Sequence, residues 1–426
     1  MTAKQLLTRI GGGSTLLLVL MAMFVPTAYV PMKASLLLLA CSVALMGVLL
    51  GVFRVNRASF SAIYVLTFVG LLYSFYGALH GAPGAIRVLT VYVLWPWVFL
   101  LLAVYLSHER SLELLFKTLM ASLLVIVVYS FVFLGMKAGV VPEPLYFALD
   151  QGQAVGFYDG FVEYDLYSIS SLLFLIPMAI HFGYIQLKLP RGKHMYLLGA
   201  LLVASIVLTF LTGRRALLLV VMISPMIILA EWWWFSGLKQ VTTRHRQLAR
   251  APGAYVLAMC GIFLAVLLLA YLKVDWNTVW IRFADGFNFE SGESTSERTL
   301  QFFPLINGWI DSSILFGAGN GATVDVVRSI KTAWAYELTY VYLLFSTGIV
   351  GVLFYFGWFG YGLLRIRQSL KKRPDLKVYV LPMMTGVFSL AIAAASNPYF
   401  GKFDYLWIIM LPHLLAGGLK YQRVAI

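Results

Sequence analysis

The sequence predicts an all-α polytopic membrane protein that crosses the bilayer about twelve times. Composition, run length and charge distribution carry this reading. The chain is 61% hydrophobic and only 12% charged, whereas soluble domains carry about 25% charged residues. Its apolar residues gather in runs near the ~20 residues that a helix needs to cross a bilayer. The polar joints between these runs fall into two alternating sets, one much richer in Lys and Arg than the other.

The predicted spans, in chain order, are 14–31, 34–53, 58–79, 88–106, 112–135, 166–187, 195–212, 215–235, 254–273, 336–360, 378–396 and 403–420. The first run is read as a span, because no small-residue cleavage site follows it. The even count puts both termini on one side. The N-terminus and the joints at 54–57, 107–110, 188–194, 239–250, 365–377 and 420–423 together hold 20 Lys and Arg, and the opposite set holds 11. The positive-inside rule assigns the first set, and both termini, to the cytoplasm. The net charge of +14 is therefore mostly topology, and nucleic acid is not expected as a partner. Fourteen of the 18 acidic residues fall on the outer side. Cys41 and Cys260 lie in apolar runs and form no disulfide framework or metal-ligand spacing. No internal repeat is visible, and 1–426 reads as a single integral membrane domain.

Two outer segments exceed ordinary turn length, 136–165 and 274–335, and loops this long are usually functional or disordered. Both carry apolar and aromatic residues, which argues for order. In the second, Ser294 and Glu297 have capping-box spacing. Leu300, Phe303, Ile306 or Asn307, and Ile310 then recur at helical spacing. A short amphipathic helix over 295–311 is expected on the outer leaflet surface, bent near Pro304.

Charges near a bilayer are functional candidates by default. Arg214 and Arg215 form a tight outer turn that opens a helix, and a helix N-terminus already attracts anions. Two guanidiniums there suit a phosphate, since arginine binds phosphate as a bidentate fork. The alternative is that they snorkel to lipid headgroups. Arg298 falls in the first turn of the loop helix, where a cation opposes the helix dipole. An anionic ligand or an acidic partner explains it better than local helix stability. Arg282 and Arg87 are weaker candidates of the same kind, read as phosphate contacts, interfacial anchors or structural partners.

Glu337 opens the tenth span beside Trp334 and Tyr336. It is either a helix-capping charge or a general base for a hydroxyl proton. Of the six histidines only His80 lies on the outer side, and it is not in a long loop. Tyr158, Asp159, Glu163, Tyr164 and Asp165 in the first loop are candidates for binding sugar hydroxyls, or ordinary loop residues. Trp309, Trp334 and Tyr336 are aromatic candidates for the same task. No Asp-x-Asp element appears in either loop, so no metal is expected. The Gly-Ala-Gly-Asn-Gly run at 317–321 is a turn former and a poor phosphate cradle, because no strand precedes it.

The order of four stretches resembles the O-antigen polymerase and O-antigen ligase superfamily of bacterial inner-membrane glycosyltransferases. GFYDGFVEYDLYSISSLLFLIPMAI resembles the family's outer loop entering a span. LTGRRALLLV resembles its arginine turn, with Arg215 on the family arginine and Arg214 where serine is common. SERTLQFFPLINGWIDSSILFGAGNG matches through Arg298, Trp309, Gly317 and Gly319. AYELTYVYLLFSTGIVG resembles the catalytic loop-to-helix element. The similarity covers roughly residues 150–420.

The resemblance implies a glycosyltransferase C-type membrane architecture with its site facing the periplasm. It implies a substrate glycan carried on undecaprenyl diphosphate, held by arginines, and an inverting transfer without nucleotide sugar, metal or cofactor. A flippase and a chain-length regulator are the partners it suggests, besides membrane lipids. Ligases of the family carry histidine where Glu337 stands, and this departure favours the polymerase branch. The ligase, and from another class a lipid-linked oligosaccharide flippase, are the alternatives.

Topology is directly testable. In a background without Cys41 and Cys260, Gly292→Cys should label from outside and Lys371→Cys only after permeabilisation. The reverse pattern would invert the chain and remove the outer site.

Overall fold

An apolar run long enough to cross a bilayer must satisfy its own backbone hydrogen bonds, and a helix does so. The computed structural model describes residues 3–107, 110–149, 154–158, 161–187, 194–236, 293–327 and 332–419. The expected span at 254–273, together with Arg282 and Asp159, lies outside these residues. Among them the chain builds twelve helices and one two-stranded hairpin. Nine helices are long and apolar enough to cross a membrane, and two shorter apolar helices match further expected spans. The protein is thus a multi-pass membrane protein by the length and composition of its helices.

In chain order the helices are α1 (Ala3–Phe24), α2 (Val30–Leu49), α3 (Arg57–Leu79), α4 (Ala85–Leu106) and α5 (Ser111–Lys137). The strands β1 (Ala154–Tyr158) and β2 (Phe161–Asp165) follow. Then come α6 (Ile169–Gln186), α7 (His194–Leu211), α8 (Arg215–Ser236) and α9 (Glu293–Ser312). The chain ends with α10 (Thr339–Lys372), α11 (Lys377–Ala393) and α12 (Phe403–Gly418). Helix α6 lies in the centre of the core, with Leu172, Phe174, Leu175, Ile176 and Met178 fully buried. It packs against α11 at Gly386, where a Cβ would lie 2.6 Å from the Phe174 carbonyl oxygen.

Three departures from the sequence reading have physical causes. The first span was expected to reach residue 31, but α1 ends at Phe24. Pro26 disfavours helix at the residue before it, and Thr27 and Tyr29 take left-handed conformations. That turn is fixed by a distant residue. Asp404, at the start of α12, accepts from the Thr27 amide at 2.8 Å and pairs with buried Lys33 at 2.8 Å. Helix α10 outruns its expected end at 360 by twelve residues; its 34 residues rise about 1.5 Å each, well beyond a ~30 Å hydrocarbon core. The segment 154–165, expected as loop, is an antiparallel hairpin pairing Tyr158 with Phe161.

Helix α10 is broken in its N-terminal half. Gly348 has φ 61° and ψ −170°, so the helical hydrogen bonds across it are lost. The segment after α9 supplies replacements. The amides of Ala318 and Gly319 donate to the carbonyls of Phe345 and Ser346, both at 2.8 Å. The amides of Ile349 and Val350 donate to the carbonyls of Ile314 and Leu315, at 3.1 and 3.0 Å. Asn320 continues inward, its amide on the Tyr73 carbonyl of α3 at 3.0 Å. Non-helical backbone at this depth is tolerated only when protein satisfies it. At Gly319 a Cβ would stand 2.2 Å from the Gly77 Cα. The Gly-rich run is therefore a splice between α3 and α10, and its donated amides leave no phosphate cradle.

Gly348→Ala should be costly, because its Cβ would meet the Leu315 carbonyl oxygen at 2.3 Å in a left-handed conformation. Strain and overpacking together predict a loss on the order of 2–5 kcal/mol. Gly357→Ala, in the same helix with open space around it, should be neutral or stabilising. Melting temperatures in nanodiscs compare the two, and equal values would refute the splice as a stability determinant.

Candidate functional site

The splice places the start of α10 against α9. Arg298, Gln301 and Leu305 recur at helical spacing along one face of α9, and this face turns to the protein. Leu305 packs with Tyr336, Ala322 and Phe345. The apolar residues expected to form the amphipathic stripe point the other way, with Leu300, Phe303 and Ile310 all more than half exposed.

The two strongest candidates meet. The Arg298 Nε donates to Glu337 Oε2 at 3.0 Å, and the side chains are 30% and 6% exposed. Gln301, one turn on from Arg298, accepts the Glu337 backbone N–H at 3.1 Å. Glu337 lies two residues before α10, whose N-cap is Leu338 with no side-chain cap. Its carboxylate is directed at Arg298.

A second ion pair lies close by. Arg214 pairs through Nη2 with Asp165 Oδ1 at the end of β2, and Nη1 donates to Ser170 Oγ at 3.2 Å. Tyr399 joins the two pairs. It occupies the turn between α11 and α12, is 5% exposed, and stands beside Arg214 and Ser170 with Arg298 in electrostatic reach. Burial raises the Tyr399 phenol above its ordinary pKa, while Arg214, Ser170 and Arg298 draw it down. Thr339 Oγ1 donates to the Asn397 carbonyl at 3.0 Å and so ties this turn to the Glu337 segment. Two guanidiniums, two carboxylates and a phenol thus converge from five separate stretches of chain.

Arg215 behaves differently from its neighbour. It opens α8, is half-buried, and forms no hydrogen bond or ion pair among the described residues.

Several expected glycan contacts are structural. Tyr336 is 2% exposed; its hydroxyl engages the Val324 amide at 2.8 Å and its ring stacks on Tyr342. Tyr164 is fully buried in the main core, on the strand face opposite Asp165. Trp309 donates its indole N–H to the Ile314 carbonyl at 3.0 Å and closes the end of α9. Trp334 covers the α3–α4 turn so closely that a Cβ at Gly84 would lie 2.6 Å from its ring. Tyr158 and Glu163 belong to the hairpin by their backbone, and their side chains lie outside the described residues.

Tyr399, Ser170 and Gln301 escaped the sequence reading. The Asn-Pro turn signal marked 397–398, but nothing local pointed Tyr399 at the arginines. The hairpin was recoverable, since Asp-Gly between alternating residues is the strongest short-range hairpin signal. In comparisons with known proteins, no family model and no curated protein matches the chain.

Arg298→Ala should destabilise more than Glu337→Gln. The first withdraws a guanidinium from a carboxylate that is 6% exposed, at a cost of about 3 kcal/mol; the second leaves an arginine that still reaches water. Paired thermal unfolding curves test this ordering, and equal shifts would reduce the pair to a surface contact.

Proposed function

We propose that the chain is an inverting membrane glycosyltransferase that polymerises glycan repeat units carried on undecaprenyl diphosphate, at the periplasmic face of a bacterial inner membrane. The observation that supports it most is the Arg298–Glu337 pair held beside Arg214 and Tyr399. A proton acceptor next to clustered guanidiniums is what transfer from a diphosphate-linked sugar requires.

In the proposed step an acceptor sugar hydroxyl attacks the anomeric carbon of the donor. The new glycosidic C–O bond forms as the bond from that carbon to the diphosphate oxygen breaks. The hydroxyl proton passes to the Glu337 carboxylate, and the electron pair leaves on undecaprenyl diphosphate. Preorganised guanidiniums stabilise the charge that develops there, with Arg215 and Arg298 as the principal ligands and Arg214 beside them. Asp165 and Glu163 remain candidates for sugar hydroxyls along the hairpin face. A glutamate at the position where ligases carry histidine favours polymerisation over transfer to a lipopolysaccharide core. Release of free undecaprenyl diphosphate separates any such transferase from a flippase, which moves its lipid intact.

Glu337→Gln should fold and bind lipid diphosphate yet lose turnover by about 10²-fold or more. Glu337→His should retain part of the activity, because imidazole is a competent base near neutral pH. Arg215→Ala should abolish most turnover while the protein still inserts, and Arg215→Lys should rescue poorly for want of the bidentate fork. The assay incubates purified protein with a lipid-linked repeat unit and resolves products by size. A stable and fully active Glu337→Gln variant would remove the glutamate from the mechanism.

A further inference from the structure

The two carboxylates that neutralise the arginines are held very differently. Glu337 is 6% exposed, and Gln301 fixes its backbone amide. Moving it away from Arg298 would leave a charge buried. The Asp165 side chain is 56% exposed, so it can turn into water at little desolvation cost. A carboxylate offers a guanidinium the same two-oxygen edge that a phosphate does. Asp165 therefore occupies the place on Arg214 that an incoming phosphate would take, and it is the one of the two carboxylates free to leave.

Behind that exchangeable pair lie groups that do not move with it. Ser170 Oγ accepts from the other Arg214 nitrogen at 3.2 Å and braces the guanidinium. Tyr399 is clamped by its turn and by an edge contact with Tyr405 at 5.5 Å. Its phenol lies beside Arg214 and Ser170 and feels the charge of Arg298 as well. A phenol that both arginines influence is a donor within reach of an anion bound to either.

We infer that Asp165 is a resident competitor at the diphosphate site, displaced from Arg214 when the lipid diphosphate binds, and that Tyr399 donates a hydrogen bond to the diphosphate between Arg214 and Arg298. This rests on the transferase reading above and adds to it which residue must yield and which phenol takes part. It reassigns Asp165 from the glycan to the anion. Removing a residue that already forms an ion pair then tightens substrate binding, an outcome that a purely structural Asp165 cannot give.

The test measures binding of farnesyl diphosphate and farnesyl monophosphate to the purified full chain in nanodiscs by calorimetry, with melting temperatures recorded beside it. Asp165→Asn should bind the diphosphate more tightly by roughly twofold to fivefold, the scale of an exposed ion pair. Tyr399→Phe keeps the ring packing and should weaken diphosphate binding about tenfold or more, the scale of a hydrogen bond to a charged group. Monophosphate should bind more weakly and respond less to Tyr399→Phe. If the wild-type chain binds neither probe, the transferase reading itself fails. If it binds diphosphate but Asp165→Asn binds no tighter, or Tyr399→Phe binds equally well, the inference fails and the reading survives. Equal affinity for the two probes would make this a general headgroup site and overturn the inference as well. Asp165→Ser is the second competitor-free variant should the amide form a new contact with Arg214; loss of affinity in both would assign Asp165 a structural role.

Discussion

The hydrogen bonds across Gly348 are the constraint on which the site depends. A helix interrupted within a bilayer has unpaired amides and carbonyls, each costing several kcal/mol in hydrocarbon. Here the 314–319 segment answers four of them in both directions, amide to carbonyl and carbonyl to amide. The exchange fixes the depth of the Gly-rich run, and with it the end of α9. It also frees the first turns of α10 from the direction of the rest of that helix. Glu337 and Thr339 can then face α9 and the α11–α12 turn together.

The electrostatics follow from this placement. Arginine and glutamate from stretches 39 residues apart meet because α9 and the start of α10 are bound to the same spliced segment. Arg214 reaches the group from another direction, at the turn before α8, and the hairpin carries Asp165 to it. Arg298 and Arg214 are each paired with a carboxylate, so these two charges are compensated within the protein. Lys33 and Asp404 form a separate buried pair. They pin the α1–α2 turn to the start of α12, a few residues from Tyr399, and so steady the wall behind the site.

The sequence disclosed the helices because bilayer thickness imposes a length on every apolar run. It disclosed the charged candidates because Arg214, Arg215, Arg298 and Glu337 stand out in so apolar a chain. It did not disclose their partners. Hydropathy at residues 25–30 is that of a continuing helix, yet the turn there is held by Asp404, 377 residues from Thr27. Tyr336 and Trp309 read as ligand aromatics because an indole or phenol in a polar loop suggests sugar; their hydrogen bonds to backbone only appear once the loop is folded inward. Tyr399 shows the opposite failure, an unremarked turn residue that packing brings within the influence of two arginines.

Helix α9 answers to two phases at once. One side carries Arg298 and Gln301 into the protein, while Leu300, Phe303 and Ile310 are turned outward. On the proposed topology those outward residues rest in the lipid of the outer leaflet. The helix then behaves as a float, with its height set by the membrane surface and its pitch by the protein contact. A lipid-linked donor has its diphosphate at that same surface. The arginine and its proposed anionic target are thus referenced to one waterline, and they stay level with each other when the bilayer thickens or thins.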